Sequence, residues 1–152
     1  MLENKNIIVL GDRDGIPAPA IEQCLAGKNL RVVFSATECF VWTSAGAMDL
    51  ENQKRVLDLT EKYGKENLVV LLGGGDAEAC GLIVETVMAG DPAYAGPLTG
   101  VQLGLPAYHI FEPEVKGQID ENLYQENIGM MEMVLDVPSI VEEVSKIRNQ
   151  FS

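Results

Sequence analysis

The chain has 152 residues, of which 47% are hydrophobic and 22% are charged, a balance typical of a globular protein with a real core. Lys and Arg number 11 and Asp and Glu number 23, so the formal net charge is -12. Nucleic acid and anionic membrane surfaces are therefore not expected as partners, because both require clustered positive charge.

The cysteine pattern predicts a protein of a reducing compartment. The sequence has three cysteines far apart, no basic and then apolar leader, and no apolar run of about 18 residues that could span a bilayer. An odd number of cysteines without a secretion signal favours reduced thiols over a disulfide framework. We therefore expect a single cytoplasmic domain over residues 1–152.

Apolar runs alternate with helical patterns along the whole chain. Such alternation is typical of a parallel sheet covered on both faces. The sequence therefore predicts an α/β fold, a three-layer α/β/α sandwich with a mainly parallel, Rossmann- or flavodoxin-like sheet. In chain order, the predicted elements are a strand at 6–11, a helix at 17–26, a strand at 30–35, a helix at 49–63, a strand at 68–72, a helix at 76–88, a strand at 108–111 and a helix at 139–151.

Three loops should meet at the carboxyl edge of this sheet, where parallel sheets place ligands and chemistry. They cover residues 11–15, 36–48 and 73–75. A fourth segment, 90–104, is rich in Gly and Pro and is expected at the sheet edge or over the site.

The second of these loops contains an incomplete redox motif, Cys39-Phe-Val-Trp42. In a dithiol motif, a second chalcogen three positions after the first lets one atom attack and the other resolve the adduct. Cys39 is either a small buried residue or a redox residue, and its loop before a capped helix favours the second reading because a helix N-terminus stabilises a thiolate. Trp42 is either a core or interface aromatic or a replacement for selenocysteine, whose UGA codon differs from the Trp codon UGG by one base.

Other candidate site residues have simpler interpretations. Cys24 and Cys80 lie in helical patterns among apolar residues and are expected in the core. Residues 73–75 form a Gly-Gly-Gly run that predicts a tight turn rather than a nucleotide site, because G-x-G-x-x-G is absent. Arg13 lies in a turn that we expect to be held by local ion pairs, with anion binding as the alternative. No His and Cys cluster has the spacing of metal ligands.

The second half of the chain offers weaker signals. His109, the only histidine, is expected as a hydrogen-bonded core or rim residue rather than a catalytic base. Glu112 and Glu114 flank a proline and are expected at a solvated strand end. The stretch 130–133, Met-Met-Glu-Met, is either core packing or a soft docking surface.

Long blocks of the sequence resemble the selenoprotein A family of the glycine, sarcosine and betaine reductase complexes. The likeness covers nearly the whole chain. The blocks are 11–17, 38–43, 45–55, 90–92, 95–98, 100–105, 108–109, 112–114 and 128–135. The resemblance implies a Cys-x-x-selenocysteine centre with Cys39 as the resolving thiol and Trp42 at the selenocysteine position. The pair Gly74-Gly75 is a second departure from the family pattern.

The resemblance also implies a function. A substrate-specific component (protein B) would load a carboxymethyl group onto the selenocysteine, an acetyl-forming component (protein C) would take it on toward acetyl phosphate, and thioredoxin would reduce the carrier again. No cofactor other than selenocysteine is expected, and a chain with Trp42 should fold but be chemically inactive. The alternatives are a Rossmann-type nucleotide-binding subunit and a non-catalytic interaction subunit with a native Trp42.

Overall fold

Four parallel strands form the centre of the fold in the computed structural model, which describes residues 1–39 and 46–152. Helices cover both faces of this sheet, as the sequence predicts. The elements are β1 Asn6–Asp12, α1 Ala18–Ala26, β2 Arg31–Glu38, α2 Leu50–Tyr63, a 3₁₀ turn Lys65–Asn67, β3 Leu68–Leu72, α3 Ala77–Met88, β4 Ala107–His109, α4 Pro113–Lys116, α5 Glu121–Asn127, α6 Gly129–Val134 and α7 Val137–Phe151.

The strand order β2-β1-β3-β4 places β1 and β3 in the middle of the sheet. Strand β2 lies on one side of β1, whereas β3 and then β4 lie on the other side. Because β-α-β crossovers are right-handed, this arrangement puts α1 on one face and α2 and α3 on the other. In the remainder of the chain, α5 packs on α1 and α7 packs on α3. The three-layer α/β/α prediction is therefore confirmed.

The burial of the strand residues follows from the helices that cover both faces of the sheet. All five residues of β3 are buried, as are six of the seven residues of β1. A strand with helices on both faces has no polar face, so it reads as a continuous apolar run rather than an alternating one. Within the described residues, no helix is both long enough and apolar enough to cross a membrane.

The region between β4 and α7 differs from the prediction. Three short helices, α4, α5 and α6, occupy residues 113–134 where the sequence analysis predicted none. Helices of four to seven residues are too short to show a clear 3.6-residue period, so local capping is the only signal. Asp120, for example, caps α5 by accepting a hydrogen bond from the Leu123 N–H at 3.0 Å.

Glu112 is the clearest error of the sequence analysis, because it is buried rather than solvated. Its two carboxylate oxygens accept hydrogen bonds from the guanidinium of Arg148 at 2.8 and 2.9 Å. One of them also accepts the His109 N–H at 2.8 Å. Arg148 in turn donates to the Ala107 carbonyl at 3.0 Å and stacks over the Tyr108 ring at 4.0 Å. This group joins the end of α7 to β4.

Removing the Glu112 carboxylate is expected to destabilise the fold strongly. Glu112→Ala should lower the free energy of unfolding by about 3 kcal/mol, because the nearly buried guanidinium of Arg148 loses its partner. Glu114→Ala is the matched control, since the Glu114 carboxylate lies 3.8 Å from the same guanidinium but its side chain is 54% exposed. Its cost should be under about 1 kcal/mol. Urea unfolding followed by circular dichroism measures both, and equal losses would contradict the assignment.

Candidate functional site

Cys39 lies at the carboxyl edge of the sheet, as predicted. It directly follows Glu38, the last residue of β2, which is paired with Asp12 at the end of β1. Its side chain is partly exposed, so the thiol is not sealed in the core. Trp42, the second predicted site residue, lies outside the described residues. Cys39 therefore lies at the start of the connection between β2 and α2, at the edge where parallel sheets place ligands and chemistry.

The buried carboxylate of Glu38 ties the start of this loop to its end. One oxygen accepts the Asp49 N–H at 2.9 Å, and the other accepts the side-chain amide of Asn52. Burial raises the pKa of Glu38, although both of these hydrogen bonds act in the opposite direction. Strand β2 and helix α2 are thus fixed to one another at the point where the loop leaves and returns.

The start of α2 is already occupied by carboxylates. Asp49 accepts the Asn52 N–H at 2.9 Å as the N-cap, and Glu38 accepts the Asp49 N–H. The sequence analysis expected the N-terminus of this helix to stabilise a Cys39 thiolate. Carboxylates accept the N–H groups of Asp49 and Asn52, so the start of α2 is an acidic environment. Stabilisation of a thiolate there stays a prediction.

A second anchor holds the residues that follow the loop. The buried side-chain amide of Gln53 donates to the Met48 carbonyl at 2.9 Å and to the Asp91 carboxylate at 3.1 Å. Its oxygen accepts the Leu98 N–H at 3.1 Å. Burial acts to raise the pKa of Asp91, but Gln53 and three backbone N–H groups of residues 93–96 bind this carboxylate and hold its pKa below the ordinary value. The segment 91–98 therefore packs against the start of α2, close to the end of the loop.

The crevice between β1 and β3 is closed by the protein's own backbone. The buried carboxylate of Asp12 accepts the Asp14 N–H at 3.1 Å and the Gly75 N–H at 3.0 Å. The Ile16 N–H donates to the Gly73 carbonyl at 2.7 Å, and a side chain at Gly15 would collide with that carbonyl. The remaining cavity has a volume of about 10 Å³, room for about one water molecule. The Gly-Gly-Gly run is therefore a tight turn, as predicted, without space for a nucleotide phosphate.

Arg13 differs from its predicted environment. Within the described part of the chain it forms no ion pair, and the turn is held by Asp12 and backbone N–H groups instead. Its N–H donates to the Glu38 carbonyl at 2.9 Å, which places Arg13 beside Cys39. Its side chain is exposed. A positively charged side chain therefore lies exposed at the edge of the sheet, beside Cys39.

His109 is a hydrogen-bonded core residue, as the sequence predicted. It is fully buried, its Nδ1 accepts the Phe111 N–H at 3.1 Å, and its Nε2 lies 2.9 Å from the Gly74 carbonyl. This pattern fits the neutral ring with the proton on Nε2. Burial lowers the pKa of His109 to about 4, so it stays neutral near pH 7 and has no path to a substrate.

The other two cysteines are unsuited to redox chemistry. Cys24 and Cys80 are buried, as predicted. Burial raises the pKa of Cys24 to about 11 and raises the pKa of Cys80 as well, so both thiols stay protonated. Among residues 1–39 and 46–152, no group of three or more His, Cys, Asp or Glu side chains could hold a metal ion.

Sequence reasoning missed the two anchors, Glu38 and Gln53. Gln53 gave a usable signal, because it lies three positions before Val56 on the buried stripe of α2. A polar residue on such a stripe requires a partner, which predicts a buried hydrogen bond. Glu38 gave only the weaker signal of an acidic residue at the end of a strand.

The comparisons with known proteins agree with one another. A model of the family described as "Glycine reductase complex selenoprotein A" matches residues 2–148. A protein of Symbiobacterium thermophilum described as "Glycine/sarcosine/betaine reductase complex component A" is 64% identical over 151 residues, with 99% of this chain and 97% of that protein covered. One of Clostridium botulinum with the same description is 60% identical, with 99% and 96% covered. The component A2 of Photobacterium profundum is 59% identical, with 99% and 94% covered. No solved structure matches the chain.

The buried His109 predicts a loss of stability in weak acid. Its pKa is about 4 when folded and about 6.5 when unfolded, so the unfolded chain binds more protons between these values. The contribution is complete above pH 6.5 and is lost as the pH falls toward 4. Between pH 7 and pH 5 it should lower the free energy of unfolding by about 2 kcal/mol.

The matched comparison for this effect is His109→Gln, measured by urea unfolding at the same pH values. Glu38, with its raised pKa, acts in the opposite direction but is common to both proteins. The difference in slope therefore isolates His109. Parallel pH profiles for the two proteins would show that His109 is not the group responsible.

Proposed function

Because the chain belongs to the family of glycine reductase complex selenoprotein A, we propose that it carries a two-carbon unit between the other components of a glycine, sarcosine or betaine reductase. The observation that supports this most directly is the environment of Cys39. This thiol is partly exposed at the carboxyl edge, at the start of a loop whose two ends are held by Glu38 and Gln53. Cys24 and Cys80 are buried.

In this proposal the atom that carries the group is the selenium of a selenocysteine at position 42, where this sequence has Trp42. The selenolate attacks the α-carbon of the substrate held by protein B and forms a selenoether as the C–N bond breaks, and the nitrogen leaves with the electron pair of that bond. The sulfur of Cys39 then bonds to selenium as the selenium–carbon bond breaks. The electron pair of that bond stays with the two-carbon unit, whose methylene takes up a proton and becomes a methyl group. Its carboxylate loses one oxygen as water when a thiol of protein C forms the acetyl thioester. The dithiol of thioredoxin supplies two electrons and two protons to reopen the selenium–sulfur bond.

The acidic start of α2 gives a physical reason for selenium. The carboxylates of Glu38 and Asp49 accept the N–H groups of Asp49 and Asn52, two of the groups at a helix start that elsewhere stabilise a thiolate. A selenol is ionised at neutral pH without such help, and it is both a better nucleophile and a better leaving group than a thiol. The same atom must be loaded and unloaded in each cycle, so both properties are used.

Arg13 is the residue that we propose to bind the carboxylate of the carried group. Its backbone contact with Glu38 places it beside Cys39, and its guanidinium is exposed. The surrounding charges are acidic, with Asp12 at the end of β1 and Asp14 and Asp49 in the neighbouring loops. A carboxymethyl group brought into this environment therefore needs a cation, and a guanidinium binds carboxylates in a fixed geometry.

The proposed partners are protein B, protein C and thioredoxin, and the proposed location is the cytoplasm. We propose no nucleotide or metal cofactor, and the closed crevice between β1 and β3 supports this for nucleotides. The competing function is a non-catalytic interaction subunit in which Trp42 is native. The coding sequence decides between them, because a UGA codon at position 42 with a selenocysteine insertion element downstream fits only the carrier.

Activity should depend on the atom at position 42. The Trp42 chain is expected to yield no acetyl phosphate from glycine, phosphate and dithiol in the presence of the other components. Trp42→Sec should restore production, whereas Trp42→Cys should retain little, because a thiol is less ionised and leaves less readily. Cys39→Ser in the Trp42→Sec background is the control for the resolving step and should stop turnover. Substantial acetyl phosphate from the Trp42 chain would refute the carrier site.

The Arg13 assignment predicts a charge effect rather than a shape effect. In the Trp42→Sec background, Arg13→Gln should slow loading of the carboxymethyl group about two- to fivefold, the scale of an exposed ion pair. Arg13→Lys keeps the charge and should recover most of the rate. Single-turnover loading by protein B measures both, and equal rates for Arg13→Gln and the parent would exclude the role.

A further inference from the structure

Helix α6 exposes three large apolar side chains on one small surface. Met130, Met133 and Val134 are 77%, 88% and 69% exposed; we call these three residues the methionine surface. The helix itself is well anchored, since Met131 packs against the core. Glu132 accepts hydrogen bonds from the Lys116 ammonium at 2.8 Å and from the Tyr124 hydroxyl. The three exposed side chains therefore belong to a helix that these contacts hold in place.

Helix α6 leads into α7, the helix that packs along α3. Helix α7 begins beside α3, where Glu143 contacts Gly81, and ends beside the start of β4, where Arg148 bonds to Ala107. Because α3 begins at the carboxyl edge of the sheet, α7 runs from that edge toward the amino edge. Helix α6 directly precedes α7, and its Glu132 contacts Lys116 and Tyr124, while α5 packs on α1. The methionine surface therefore belongs to the connection between the helix layer of α1 and the helix layer of α3.

The charges around the methionine surface have one sign. The segment 120–136 contains five acidic residues and no Lys or Arg. Of these, Glu121, Glu126 and Asp136 are exposed, while Glu132 is paired with Lys116. A second copy of this chain would bring the same acidic residues against one another, which disfavours self-association. Charge complementarity instead requires a basic partner.

We propose that the methionine surface is a docking site for protein B, the substrate-specific component, which meets it with an apolar pocket rimmed by Lys and Arg. Methionine side chains are flexible and polarizable, so the same surface can fit pockets of different shape. A contact of this small size also suits a carrier that must leave each partner. The identity of the partner rests on the proposed carrier function, whereas the surface does not.

The test compares the chain with a double variant, Met130→Gln and Met133→Gln. The probe is purified protein B, titrated by calorimetry against the Trp42 chain, so that no turnover is needed. Loss of the two apolar contacts should raise Kd about tenfold, with an unchanged melting temperature because both side chains are exposed. The double variant Lys65→Gln and Glu66→Gln is the matched control, since both residues are exposed in the 3₁₀ turn before β3, at the amino edge of the sheet, and its Kd should equal that of the parent.

Three outcomes would overturn the proposal: an unchanged Kd for the methionine double variant, an equal loss for the control double variant at Lys65 and Glu66, or a dimer of the chain in sedimentation that the methionine double variant abolishes. Raising the salt concentration should weaken binding of the parent, because the rim contacts are charged.

Failure of the Trp42→Sec variant to yield acetyl phosphate, while the methionine double variant still loses binding, would refute the carrier function and leave the docking site standing. No binding by the parent chain would overturn both.

Discussion

The buried carboxylate of Glu38 is the interaction on which the candidate site depends. It is the last residue of β2 and binds the backbone of Asp49 and the amide of Asn52 at the start of α2. The loop after Cys39 therefore leaves and returns at one point. Gln53 holds the Met48 carbonyl and joins it to Asp91. A carrier needs a loop that is accessible to several partners yet fixed at its base, and these two buried side chains provide the base.

Between β1 and β3 the described part of the carboxyl edge is closed by the protein's own backbone. Asp12 binds the turn after β3, and His109 binds the Gly74 carbonyl from the other side. Little space remains for a small ligand at the switch point between β1 and β3. The fold thus has the strand arrangement of a nucleotide-binding sheet, but the crevice between β1 and β3, where such sheets bind ligands, is filled by the backbone of the turns after these strands. The partly exposed thiol is Cys39, and the buried ones are Cys24 and Cys80.

Sequence reasoning succeeded where the signal is local and failed where partners are distant. The apolar run of β3, the Asp49 cap and the place of Cys39 after a strand are all visible in short windows of sequence. Glu112 was misassigned because its partner, Arg148, lies 36 positions away and a glutamate after a short strand looks solvated. The contact of Gln53 with Asp91 spans 38 positions. Such pairings are set by the packing of whole elements, which no local pattern encodes.

The central claim is that Cys39 and the residue at position 42 form one redox pair, and the selenium–sulfur bond itself is the most direct evidence. Oxidised Trp42→Sec protein should be digested and its crosslinked peptides mapped by mass spectrometry, before and after incubation with reduced thioredoxin. The account predicts one bond that joins position 42 to Cys39 and disappears on reduction. Selenium bonded to Cys24 or Cys80, or no intramolecular bond at all, would contradict it.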